Sequence, residues 1–148
     1  MLVNSFSRSI VRIDKCAVHN IYGDEWLCVN KGGKGILMST ADGCSPHPPD
    51  YLLMALGSCS ADDVKIGLEN KGHKVRKITA FVDGEIDMKP KRRFKDIKIR
   101  FEVDADGISK EEIREVATHV LTNVCPVANT IIGKPKVVTR ATIRSSTK

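Results

Sequence analysis

The chain has 148 residues, a length that fits one domain with a sizeable core, and we predict a single domain over residues 1–148. Its hydrophobic content of 41% and charged content of 28% are ordinary for a soluble globular protein. The longest apolar run, residues 51–57, is far shorter than the roughly 18 residues that a membrane span needs. The N-terminus lacks the pattern of a signal peptide. We therefore expect a cytoplasmic protein without a membrane partner, whose five irregularly spaced cysteines are free thiols.

The net charge of +6 comes largely from a basic run at residues 89–98. Such a run can meet phosphates, which favours a nucleic-acid-binding module as one alternative. A G-x-x-G string at residues 32–35 points the same way, but it lies between strand-like segments, whereas an RNA-clamping G-x-x-G joins two helices. Aromatic residues make up only 5% of the chain, so few bases could stack on it. We interpret the basic run as a solvated strand and turn, and nucleic acid is not an expected partner.

Three short strands are predicted before the first helix. Turn residues at 22–24 and 32–35 separate the segments. The predicted strands cover residues 10–21, 26–30 and 35–39.

The first helix is predicted to begin at Pro48 and to end before Gly72. A proline is tolerated in the first helical turn, and a glycine suits the left-handed position after the last turn. The helix is apolar over most of its circumference, and such a helix needs cover on most sides. We therefore predict an obligate homodimer. At 100° per residue, one face of this helix carries Leu52, Leu56, Cys59, Asp63 and Ile66.

After this helix the hydrophobic period changes from 3.6 to 2, which predicts two strands of a sheet with one solvated face. Ser109 and Glu112 form a capping box before a second amphipathic helix, and a last strand is predicted over residues 136–144. The order βββ-α-ββ-α-β predicts an α+β fold with largely antiparallel sheets. The alternating apolar residues are Ile78, Ala80 and Val82 in one strand and Ile97, Ile99, Phe101 and Val103 in the next.

Cys59 lies about ten residues into the first helix, where we expect no help from a helix terminus in forming a thiolate. Burial also opposes ionisation. A cysteine in such a position, considered by itself, is more often a small apolar core residue than a nucleophile. Asp63 lies one turn further on and raises the thiol pKa unless it holds an arginine or lysine. Asp50 is about 13 Å upstream along the helix and could act only through an intervening group.

Cys125 is followed directly by Pro126, which disfavours helical geometry at Cys125. We expect the second helix to break here and a short new helix to start at Pro126. That would leave Cys125 near a helix N-terminus, where a thiolate is favoured. A structural kink beside an inert buried thiol is the alternative.

A metal site is a further alternative. Cys44 and His47 have ligand-like spacing, and Cys59 or His73 could complete a set. No second tight pair of ligands appears in the sequence, so no metal site is predicted.

Residues 45–64 (SPHPPDYLLMALGSCSADDV) and 123–131 (NVCPVANTI) resemble the OsmC/Ohr family of peroxide-reducing proteins. In that family a proline-rich loop leads into a core helix with the first cysteine, and a Cys-Pro motif on a second core helix carries the other. The resemblance implies an intertwined homodimer in which antiparallel sheets wrap around two central helices. It also implies that no metal or organic cofactor is needed.

The resemblance further implies a thiol-dependent peroxidase that reduces organic hydroperoxides or hydrogen peroxide in oxidative-stress defence. Cys59 would be the peroxidatic cysteine and would become a sulfenic acid. Cys125 would be the resolving cysteine and would condense with it to a disulfide. An external dithiol would then restore both thiols.

The groups that activate the thiol differ from those of the organic hydroperoxide branch, which uses an N-terminal arginine and a glutamate ten residues before the first cysteine. Pro49 stands at the glutamate position here. An OsmC-like protein that binds a small hydrophobic ligand without fast peroxidase activity is therefore the alternative function. The candidate activating or orienting residues are Asp50, Asp63, Arg12 and Arg93.

Overall fold

A computed structural model describes residues 15–41, 45–134, 137–138 and 140–141. None of the described helices combines the length and the apolar character that crossing a bilayer requires. The strands are β1 (Cys16–Tyr22), β2 (Glu25–Asn30), β3 (Gly35–Ser39), β4 (Val75–Asp87) and β5 (Arg93–Ala105); the helices are α1 (Pro48–Asn70), α2 (Lys110–His119) and α3 (Pro126–Gly133), with a π-helical turn at Val120–Val124 between α2 and α3.

The chain divides into two compact units, Met1–Tyr51 and Leu52–Lys148. In the first unit β1, β2 and β3 form an antiparallel sheet in sequence order. The G-x-x-G string forms the turn between β2 and β3, where Gly33 has a φ of +77°. The side-chain oxygen of Asn30 accepts hydrogen bonds from the backbone N–H groups of Gly32 and Lys34. The string therefore joins two strands, as predicted.

The start of α1 lies where the two prolines predict it. The Asp50 carboxylate accepts a hydrogen bond from the backbone N–H of His47 at 3.0 Å, and the Asp50 N–H donates to the His47 carbonyl at 2.9 Å. The Tyr51 hydroxyl donates to the Leu37 carbonyl of β3. At the other end Gly72 has a φ of +96° and ends the helix as predicted.

In the second unit β4 and β5 pair as a long antiparallel hairpin. The predicted alternation is confirmed: the apolar residues of β5 are half-buried and the charged residues between them are exposed. The α+β class with antiparallel sheets is thus confirmed. The predicted last strand, residues 136–144, falls largely outside the described residues. Residues 137, 138, 140 and 141 are described and form no strand.

The buried stripe of α1 lies roughly 100° around the helix from the face that carries Leu52, Cys59 and Ile66. It consists of Leu56, Gly57, Ser60, Val64 and Leu68. On the face shared by Leu52, Leu56, Cys59, Asp63 and Ile66, only Leu56 is buried. Cys59 and Asp63 are half-buried, and Leu52 and Ile66 are 40% and 47% exposed.

Close packing explains which side of α1 is buried. A Cβ on Gly57 would lie 2.9 Å from Val82 of β4, and a Cβ on Gly67 would lie 2.8 Å from Val116 of α2. The helix therefore presents its small residues to the elements that it touches, and the larger Leu52 and Ile66 point elsewhere.

The start of α2 is capped by Ser109, as predicted. The Ser109 hydroxyl accepts a hydrogen bond from the Glu112 N–H at 3.1 Å. The Glu112 carboxylate lies 3.0 Å from His73 Nε2, so this histidine is paired at the surface of α2.

Replacing Gly84 of β4 by alanine is expected to lower the free energy of unfolding by about 1–3 kcal/mol, because the new methyl group overpacks the interface between α1 and the hairpin. Its Cβ would lie 2.8 Å from Cδ1 of Phe94 and 3.0 Å from Cδ1 of Leu53. Urea denaturation measures the change. In the control Gly133→Ala, where nothing lies within 4 Å of the new Cβ, we expect a change within about 0.5 kcal/mol. If Gly84→Ala were as stable as the wild type, the Phe94 ring and α1 would have moved aside without a loss of stability, which would contradict the prediction.

Candidate functional site

Three of the predicted site residues come together in the second unit. The sulfur atoms of Cys59 and Cys125 and a carboxylate oxygen of Asp63 all lie within 4.8 Å of one another. Cys59 and Asp63 lie one turn apart on α1, and Cys125 lies between the π-helical turn and α3. Residues from distant parts of the chain thus form one cluster, which we call the dithiol cluster.

The break at Cys125 is the one that Pro126 predicts. Cys125 has an extended backbone (φ −64°, ψ 114°) and is the N-cap of α3. Its own N–H donates to the Val120 carbonyl at 2.9 Å and closes the π-helical turn. Its sulfur accepts a hydrogen bond from the Ala128 N–H at 3.5 Å, and its side chain is fully buried. The π-helical turn itself was not predicted, since its apolar residues continue the spacing of α2.

Burial raises the pKa of the Cys59 thiol, and so does the hydrogen bond that joins it to Cys125. The negative charge of Asp63 raises this pKa further, to a smaller extent. The backbone N–H of Val127 acts in the opposite direction because it favours the thiolate. The termini of α1 thus give Cys59 no help, as expected, whereas the first turn of α3 supplies one N–H that favours the thiolate.

Asp63 carries an unusual polar atom. Its Oδ2 is buried and has no hydrogen-bond partner among the described residues. Within the described part of the chain, no cation forms an ion pair with this carboxylate. An arginine or lysine paired with Asp63 is thus not found in residues 15–41 or 45–134.

The other candidate residues take different places. Asp50 belongs to the first unit, where its carboxylate caps the start of α1. Arg93 is exposed at the first residue of β5, opposite Asp87 in the hairpin register. Arg12 lies outside the described residues, as does Cys44 of the alternative metal set. His73 of that set is paired with Glu112.

A cavity of about 360 Å³ opens beside Asp63, between α1, α2 and the π-helical turn. His119 lines this cavity, which its position in the sequence did not predict. The apolar lining residues are Ile66, Val116, Val120 and Val124.

The family model of OsmC-like proteins matches residues 40–140 of the chain. An OsmC-like protein from Mycoplasma pneumoniae has a similar structure, with a TM-score of 0.74 at 18% identity over 84% of this chain and 90% of that one. An OsmC-like protein of unknown function from Vibrio cholerae has a TM-score of 0.70 at 18% identity, and the match covers 81% of this chain and 94% of that one. An organic hydroperoxide resistance protein from Legionella pneumophila has a TM-score of 0.63 at 13% identity, and the match covers 84% of this chain and 92% of that one. No curated protein matches the chain. The family match confirms the resemblance seen in the sequence, while the structural neighbours show the fold.

The substitution Asp63→Asn is expected to lower the pKa of Cys59, because it removes a negative charge that disfavours the thiolate. A lower pKa means more thiolate at pH 7 and faster alkylation. The rate of iodoacetamide labelling at Cys59, followed by mass spectrometry across pH, measures the shift. Asp62→Asn is the matched control, since Asp62 is the exposed neighbour of Asp63 and should leave the profile unchanged. An unchanged profile in Asp63→Asn would contradict the assigned interaction.

Proposed function

The chain belongs to the OsmC-like protein family, and on that premise we propose that it is a cysteine-based hydroperoxide reductase of oxidative-stress defence. The observation that carries the proposal is the dithiol cluster, in which the sulfur atoms of Cys59 and Cys125 lie within 4.8 Å of each other although 66 residues separate them in sequence. Hydroperoxide as substrate is supported by the name of the Legionella pneumophila neighbour, an organic hydroperoxide resistance protein.

The exposures of the two thiols support a division of roles. Cys59 is half-buried and can meet a substrate, whereas Cys125 is fully buried. The Cys59 thiolate attacks the terminal oxygen of the hydroperoxide, the O–O bond breaks, and an alcohol or water leaves after protonation. Cys59 is thereby oxidised to a sulfenic acid.

The second step needs little movement. The sulfur of Cys125 lies within 4.8 Å of that of Cys59, and the Ala128 N–H orients it. Cys125 attacks the sulfenic sulfur, water leaves, and a disulfide with a bond of about 2.05 Å forms. An external dithiol then reduces the disulfide by exchange and is itself oxidised. We place this cycle in the cytoplasm, where such reductants keep thiols reduced.

We further propose that the protein works as a homodimer. Leu52 and Ile66 are 40% and 47% exposed on the flank of α1, next to half-buried Cys59 and Asp63. Apolar side chains that lie together on one helix face are covered most simply by a second copy of the chain.

A second candidate function is the binding of a small hydrophobic ligand without fast peroxidase activity. The cavity of about 360 Å³ beside Asp63 favours it, because much of its lining is apolar. The raised pKa of Cys59 also favours it, since a smaller fraction of the thiol is ionised at neutral pH. Peroxide consumption separates the two functions.

Treating the reduced protein with cumene hydroperoxide is expected to produce a Cys59–Cys125 disulfide, which peptide mapping by mass spectrometry detects. Cys59→Ser should slow peroxide consumption by a factor on the order of 100 or more, because it removes the nucleophile. Cys125→Ser should stop after one turnover, with a sulfenic acid at Cys59 that dimedone traps.

The matched controls are Cys16→Ser and Cys28→Ser, which alter thiols of the first unit and should consume peroxide at the wild-type rate. Wild-type consumption by Cys59→Ser, or a disulfide that joins other cysteines, would contradict the dithiol mechanism.

Sedimentation equilibrium is expected to give twice the chain mass of 16.3 kDa. Ile66→Lys should weaken association by at least about tenfold, because it places a charge in the proposed apolar contact. Lys98→Glu, a charge change on the exposed face of β5, is the control and should remain dimeric. A monomeric wild-type protein at micromolar concentration would exclude the proposed dimer.

A further inference from the structure

The dithiol cluster combines three groups that can each carry a negative charge. Two are thiols and the third is the carboxylate of Asp63, whose Oδ2 is buried without a hydrogen-bond partner among the described residues. A buried carboxylate oxygen is stabilised by a cation or by a hydrogen-bond donor, and the described residues supply neither to this atom. The cluster therefore has the composition of a cation site.

We propose that the reduced dithiol cluster binds a thiophilic divalent cation of the Zn²⁺ class. Cys59 and Cys125 would supply two thiolates, and Asp63 would supply one carboxylate oxygen. Two sulfur ligands and one oxygen ligand suit Zn²⁺, and three protein ligands leave the fourth tetrahedral position for water. This inference depends on the geometry of the three side chains alone and holds whether or not the protein reduces peroxides.

The distances are compatible with such a site. Zn–S bonds of about 2.3 Å place two tetrahedral sulfur ligands roughly 3.8 Å apart. The three ligand atoms already lie within 4.8 Å of one another, so closure by about 1 Å completes the set. Side-chain rotation supplies a movement of this size without a shift of either helix.

Two backbone N–H groups at the start of α3 also act on the thiol ligands. The Ala128 N–H donates to the sulfur of Cys125, and the Val127 N–H favours the thiolate of Cys59. Hydrogen bonds of this kind orient metal ligands and adjust their basicity. Asp63 also lines the cavity of about 360 Å³, so one ligand of the proposed site borders open space.

Proton balance gives the expected pH dependence. The two thiols lose one proton each when the cation binds, and no electron is transferred. Affinity therefore rises with pH. A disulfide between Cys59 and Cys125 removes both sulfur ligands, so the metal-bound and oxidised states exclude each other.

Titration of the reduced, metal-free full-length protein with Zn²⁺ under anaerobic conditions tests the proposal. Calorimetry should show one ion per chain with release of two protons, seen in the dependence of the heat on the buffer. Co²⁺ should give thiolate-to-metal charge-transfer absorption. Cys59→Ser, Cys125→Ser and Asp63→Asn should each weaken binding by about tenfold or more.

The matched controls are Cys28→Ser and Asp62→Asn, which should bind as the wild type does. Equal losses in Cys28→Ser and Cys59→Ser would overturn the assignment, as would wild-type affinity in Asp63→Asn or a Co²⁺ complex without the charge-transfer band. The titration contains no peroxide, so its failure leaves the proposed reductase standing. Conversely, metal binding by a protein that forms no Cys59–Cys125 disulfide would support this inference while the proposed function fails.

Discussion

The break in the helix at Cys125 and Pro126 is the constraint on which the rest of the site depends. In a continuous helix the N–H groups of Val127 and Ala128 would bond to carbonyls one turn earlier. Because Cys125 is extended and α3 starts anew at Pro126, the first-turn N–H groups are free to face sulfur. Ala128 donates to Cys125, and Val127 favours the thiolate of Cys59. One proline thus gives each thiol a backbone N–H that acts on it.

The electrostatics of the cluster are a balance of opposed effects. Burial, the Cys125 hydrogen bond and the charge of Asp63 all favour the neutral Cys59 thiol, and the Val127 N–H alone opposes them. Reaction with peroxide and binding of a metal both require the thiolate. A cation at Asp63 would shift the balance toward it, either as a metal ion or as a side chain that neutralises the carboxylate. Oδ2 of Asp63, which lacks a partner among the described residues, is therefore the atom at which such a cation would act.

Local chemistry made much of the fold predictable. Pro48 and Gly72 set the limits of α1, alternating residues identified β5, and the Cys-Pro pair located the break before α3. The contribution of Val127 to Cys59 could not be predicted in this way, because it arises from a tertiary contact across 68 residues. The cation for Asp63 remained unidentified for a similar reason, since charge and spacing alone do not determine which basic side chain approaches a given acid.

The sequence did not determine which side of α1 packs against its neighbours, because the helix is apolar over most of its circumference. Leu52 and Ile66 share one face of the helix, but the small residues Gly57 and Ser60 decide which side can approach the neighbouring elements. Ser60, on the packed stripe, is completely buried. Cys59, one residue earlier on the flank, is only half-buried. A thiol at the position of Ser60 would be sealed from any substrate, whereas a thiol on the flank touches Cys125 on its inner side and can meet a ligand on its outer side.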